Sequence, residues 1–112
     1  MLGTIVLLVI LALVAIAAIP LTLRLVPRNP IYGVPTERAL ANDATWFQVN
    51  AFAGKALLIA CGIAALLIMV YNGTLLRSGW AQLFVVVLAL GIAAAAAFVY
   101  DQRLANPRWP KP

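Results

Sequence analysis

Three long apolar runs, at about residues 2–25, 44–71 and 80–100, decide what this chain can become. A helix needs about 20 predominantly apolar residues to cross a bilayer, and each run is long enough. In lipid a spanning segment must satisfy its own peptide groups, which a helix does. Water is excluded as the solvent for such a chain. Of its 112 residues 65% are hydrophobic and only 10% are charged, whereas soluble domains carry about 25% charged residues. The sequence therefore predicts an all-α membrane protein with three transmembrane helices. The runs leave no room for a separate soluble domain, so residues 1–112 read as a single integral membrane domain.

The first run resembles a secretory signal, with Ala15-Ile16-Ala17 as a cleavage-like site. No Lys or Arg precedes it, and it is too long for a signal core. It is expected to remain as the first span. Pro20 near its end removes one backbone donor and predicts a kink in the last turn. Pro27 and Pro30 then break the helix.

The formal net charge of +5 would suggest nucleic acid in a soluble protein. Here the basic residues read as topology signals and headgroup contacts, and no nucleic-acid partner is expected. Arg24, Arg28, Arg38, Arg103, Arg108 and Lys111 fall on one side of a three-span arrangement, with Lys55 nearby. Arg77 alone falls on the other. The positive-inside bias predicts an outside N-terminus, with a cytoplasmic first loop and C-terminus. The expected location is the bacterial cytoplasmic (inner) membrane, as a multi-pass protein.

Between the first two runs lies the one long stretch that mixes polar, charged, aromatic and turn residues, Tyr32 to Lys55. Tyr32-Gly33-Val34-Pro35 reads as a turn. Thr36 is a suitable N-cap for a short helix over 37–41. Asn42 and Asp43 interrupt it, and either Asp43 or Thr45 is placed to cap the next helix. Thr45 and Gln48 have capping-box spacing. The loop is expected to be structured.

At about 100° per residue, Trp46, Asn50, Ala53, Leu57, Ala60 and Ala64 share one helix face. Small residues there favour close helix approach. Asn50 can bond another helix or the loop. Trp46 is either an interfacial anchor or a ring buried beneath the loop. Lys55 points the other way and is expected to snorkel to headgroups, with a ligand or partner contact as the alternative. Glu37, Arg38 and Asp43 form a solvated loop by default. In the sharper reading Arg38 pairs with a carboxylate or a lipid phosphate and folds the loop onto the helix ends.

The third run has Trp80 and Tyr100 at its ends as interfacial anchors. Gly91 and Ala95 inside it suggest tight packing, or less directly self-association. The tail from Asp101, with Trp109 touching the membrane surface, is expected to be mostly irregular. Cys61, the single cysteine, reads as a small buried residue.

Catalysis is not expected. The chain has no His, and its acids Glu37, Asp43 and Asp101 lie outside the expected spans, where they cannot form an intramembrane proton relay. Metal-ligand clusters, a phosphate-binding glycine loop and a nucleophile–base pair are all missing from the sequence. No metal or cofactor is expected.

Gly33, Thr36, Arg38, Leu40, Asp43, Trp46, Asn50 and Gly54 carry a family resemblance. Their spacing is similar to the pattern of the SdpI family of small bacterial membrane proteins. That pattern runs Gly-x-Arg-Thr, Arg, Thr-Leu, an acidic stretch, Trp and Asn-x-x-x-Gly before a membrane helix. The motif resemblance covers about residues 27–71. Pro35 and Ala39 depart from it, standing where the family has Arg and Thr. If that Arg binds a ligand or partner in relatives, the role is expected to be lost or altered here.

The resemblance implies immunity to a secreted antimicrobial toxin, signal transduction by holding a cytoplasmic regulator, or both. Arg38, Asp43, Trp46, Asn50, Gly54 and Lys55 are the candidate partner-binding or loop-organising residues. The alternative is a small accessory subunit of a larger membrane complex. A lipid or small-molecule transporter is a third reading, and would need a homo-oligomer because three helices enclose little space.

Overall fold

Unbroken stretches of Leu, Val, Ile and Ala in lipid have no outlet for their peptide groups except the helical ladder, and all three runs are helical. The structure, a computed structural model, describes residues 2–105. It contains α1 (Leu2–Thr22), α2 (Glu37–Ala41), α3 (Asp43–Tyr71) and α4 (Gly79–Ala105). The helices α1, α3 and α4 are long and apolar enough to cross a membrane. No strand occurs among the described residues. The central helix is α3, which packs against both α1 and α4, while α2 rests on α3. At about 1.5 Å per residue α3 is longer than the ~30 Å hydrocarbon layer.

Side chains sort by size rather than by polarity. Ala18, Ala53, Ala64, Ala93 and Ala97 are buried, joined by Leu11, Cys61, Ile68 and Val86. Leu2, Ile5, Leu13, Ile16, Ile59, Phe84 and Ile92 face outward. Lipid solvates these large residues as well as a protein interior does, so packing favours small residues that bring backbones together. The closest approach is at Gly54. A Cβ there would lie 2.8 Å from both the Ala18 carbonyl oxygen and the Thr22 nitrogen, and closer still to Thr22 Oγ1.

The helix ends differ from the sequence expectations. Instead of continuing to residue 25, α1 stops at Thr22. The Leu25 N–H bonds the Pro20 carbonyl at 2.9 Å and the Arg24 N–H bonds that of Leu21 at 3.2 Å. Arg24 adopts a left-handed φ of 60°. This is a Schellman stop with Arg in the position glycine usually takes. Neither Asp43 nor Thr45 caps α3. Asn42 does, because its extended backbone aims its side chain at the Thr45 N–H, 2.8 Å away. Thr45 is therefore already inside the helix and forms no capping box.

The third span does not end at Tyr100. It runs on to Ala105, so the first part of the expected irregular tail is helical. Burial of Asp101 and Leu104 holds that extra turn against the rest of the protein. Trp109 lies outside the described residues. Gly91 and Ala95 do not pack within the bundle but face outward. Ala93 and Ala97 take the interior positions instead.

Two glycine substitutions on α3 test the close crossing. Gly54→Ala forces α1 away and should cost about 1–3 kcal/mol, as overpacking does. At Gly62 a Cβ would meet nothing within 4 Å, so Gly62→Ala should be neutral or stabilising by up to about 1 kcal/mol. Thermal unfolding in one detergent reads both; equal melting temperatures would contradict the crossing geometry.

Candidate functional site: the capped end of the bundle

The chain alternates direction through its three long helices, so the end of α1, the start of α3 and the end of α4 come together. Residues 23–42 cross this end and need partners for their own polar groups. Asn29 supplies the first set. Its Oδ1 accepts the N–H groups of Ile31 and Tyr32, and its Nδ2 donates to the carbonyls of Pro27 and Tyr32. The Tyr32 hydroxyl then donates to the Ala17 carbonyl on α1.

The loop is latched where it passes over α3. Trp46 is fully buried, which decides between its two expected roles in favour of the position beneath the loop. Its Nε1–H donates to the Val26 carbonyl at 2.7 Å. One turn later, buried Asn50 uses both ends of its amide. Oδ1 accepts the Val34 N–H at 2.6 Å, and Nδ2 donates to the Trp46 carbonyl at 3.0 Å. Gly33 completes the latch. Its φ is 118°, and a Cβ would stand 2.6 Å from Asn50 Oδ1 and 3.0 Å from the Trp46 ring. Any other residue there is strained and collides with both anchors.

A second latch comes from α4. Thr36 caps α2 by accepting the Ala39 N–H at 3.1 Å, and its hydroxyl donates to Asp101 Oδ1 at 3.0 Å. Arg38 Nε lies 3.5 Å from the other carboxylate oxygen of Asp101. That pair is a close ion contact without hydrogen-bond geometry, since Arg38 Nε is buried and unbonded. Asp101 itself is only 2% exposed. Beneath, Ala39, Trp46, Val49 and Leu104 form a small apolar core. Tyr100 stacks on Phe52 with ring centroids 4.3 Å apart.

Of the residues singled out in the sequence, Trp46, Asn50 and Arg38 join the cap. Asp43 belongs to a separate surface pair, with Arg28 Nε 2.7 Å from its Oδ1. Arg28 also donates to the Leu40 carbonyl. Gly54 lies at the α1 crossing, and Lys55 is exposed on α3. Asp101 was missed, although Ala93, Ala97 and Asp101 repeat at helical spacing and signal that α4 continues. A further polar cluster, at the opposite end, also went unread. Buried Gln82 accepts from Thr4 Oγ1 at 2.8 Å and donates to Asn72 Oδ1 at 2.9 Å and the Leu76 carbonyl at 2.7 Å.

Beside the second latch is a recess of about 610 Å³ lined by Thr36, Glu37, Arg38, Phe98, Asp101 and Gln102 among others. Its lining offers charge and hydrogen bonding next to an apolar floor. Among the described residues, no group of three or more His, Cys, Asp or Glu side chains is gathered as a metal site.

This architecture defines a small helical membrane protein with a folded polar cap over one end. The chain belongs to the SdpI/YfhL protein family, whose model matches residues 26–101, from the cap to the buried Asp101. No curated protein and no solved structure matches it at a significant level.

Removing the Asn50 amide should open the cap. Asn50→Leu leaves the Val34 N–H without its acceptor and should cost about 1–3 kcal/mol, with faster hydrogen exchange at Val34. Asp43→Asn breaks only an exposed pair and should change stability by less than about 1 kcal/mol. Equal protection of Val34 in both variants would contradict the latch.

Proposed function

We propose that this chain is an SdpI-like protein of the bacterial inner membrane that works by binding, without chemistry. It gives immunity to an antimicrobial toxin, relays the toxin's presence to a regulator, or does both. Membership of the family supports the general reading. The observation that carries the binding role is the cap itself. Buried Trp46, Asn50 and Asp101 anchor it from two helices, far more fixation than a plain connector requires. A fixed loop presents the same surface to each partner and loses less entropy on binding.

In this proposal the cap lies on the cytoplasmic side. Arg24, Arg28, Arg38 and Arg103 gather at that end, against Arg77 at the other, in keeping with the positive-inside bias. The latched loop offers a fixed polar surface for a cytoplasmic regulator, while the helices meet a toxin within the membrane. Pro35 is exposed beside Thr36, where the family pattern has an Arg, so a ligand or partner contact at this position differs in this chain from one built on an Arg.

The accessory-subunit reading keeps one supporting observation. A groove of about 440 Å³ between α3 and α4 is lined by Ala56, Ala60, Ala89 and Ala96 with larger aliphatic residues, a surface that admits another helix closely. Stoichiometric copurification with a large complex would favour it.

Deletion of the gene should sensitise the host to its cognate toxin, and the intact gene should restore protection. Asn50→Ala should restore less at equal membrane abundance, and Pro35→Arg should change the level of protection. Cysteine labelling at an Arg38→Cys variant should require permeabilised cells. Unchanged sensitivity on deletion sinks the immunity role; labelling from outside sinks the orientation.

A further inference from the structure

We infer that the recess beside Asp101 holds the headgroup of an aminophospholipid, with its ammonium at Glu37 and its phosphate at Arg38. The inference goes beyond the binding role proposed above and does not depend on it. It begins from the position of the recess. Phe98, 56% exposed, forms an apolar wall where α4 leaves its run of Ala, Phe and Val. Within one turn of it on the same helix come Asp101 and Gln102, and α2 supplies Thr36, Glu37 and Arg38. The recess therefore crosses the boundary between acyl chain and headgroup, and its volume of about 610 Å³ is in the range of small-molecule sites.

Charge then selects the headgroup. Asp101 is committed within the protein, since one oxygen accepts from Thr36 and the other faces Arg38 Nε. Arg38 turns only that edge inward, and its side chain is still 41% exposed, leaving the outer guanidinium nitrogens for a phosphate oxygen. Glu37 is exposed, and no cation lies within salt-bridge distance of it among the described residues. Among the described residues the lining of the recess holds one Arg, already facing Asp101, and a second acid in Glu37, so a purely anionic lipid would meet the Glu37 carboxylate with no cation of its own to offer it. A zwitterion brings a cation for Glu37 and an anion for Arg38 together. A primary ammonium also offers N–H donors that a trimethylated amine lacks.

The test uses the full chain in detergent micelles, titrated separately with phosphatidylethanolamine, phosphatidylglycerol and phosphatidylcholine. Native mass spectrometry reads lipid occupancy. Wild type should hold phosphatidylethanolamine about tenfold more tightly than either other lipid, the equivalent of one charge-assisted hydrogen bond. Glu37→Gln should abolish that preference with little change in melting temperature, because Glu37 makes no ion pair among the described residues and adds only a first-turn charge to α2. Arg38→Gln should weaken all three lipids. Phosphatidylglycerol binding as tightly as phosphatidylethanolamine, or an unchanged preference in Glu37→Gln, would overturn the assignment. So would soluble phosphoethanolamine binding as tightly as the lipid, which would point to a free ligand.

Discussion

The hydrogen bond from the Val34 N–H to Asn50 Oδ1 is the contact on which the organisation of the cap depends. It fixes the loop at the point where the backbone passes over α3, and the same amide holds the Trp46 carbonyl. Gly33 is required next to it because no Cβ fits between Asn50 and the Trp46 ring. The latch thus ties a backbone conformation, an aromatic ring and a helix face into one unit. In surroundings poor in water an unmade bond of this kind is costly.

From that point the cap spreads to all three long helices. Trp46 reaches back to Val26, just beyond the end of α1. Tyr32 reaches α1 itself, and Thr36 reaches Asp101 on α4. The helices meanwhile pack through alanine and glycine, with their large residues left to the lipid. Directional polar contacts fix the cap, and close backbone approach fixes the bundle; each kind is effective in its own surroundings.

The three spans were legible because hydropathy over twenty residues is a strong signal. The Thr36 cap, the short α2 and the shared face of Trp46 and Asn50 were legible from spacing. Asp101 was not. An aromatic residue at Tyr100 marked a plausible membrane boundary, and the carboxylate just beyond it looked like the start of a solvated tail. Its burial depends on Thr36 and Arg38, more than sixty residues earlier in the chain, a distance that local patterns do not cross. The Asn42 cap was displaced by one residue for a simpler reason: adjacent Asn and Asp are nearly equal as caps, and only the extended backbone at Asn42 decides between them.

The polar knot around Gln82 gives α1 a second mooring. Thr4 ties its beginning to α4, while Gly54 and Tyr32 hold the region near its end. A helix tethered at both extremities cannot slide like a piston without tearing one tether. Sliding would cost those contacts, so tilting or twisting of the whole bundle is the less costly way for motion at the cap to reach the far face.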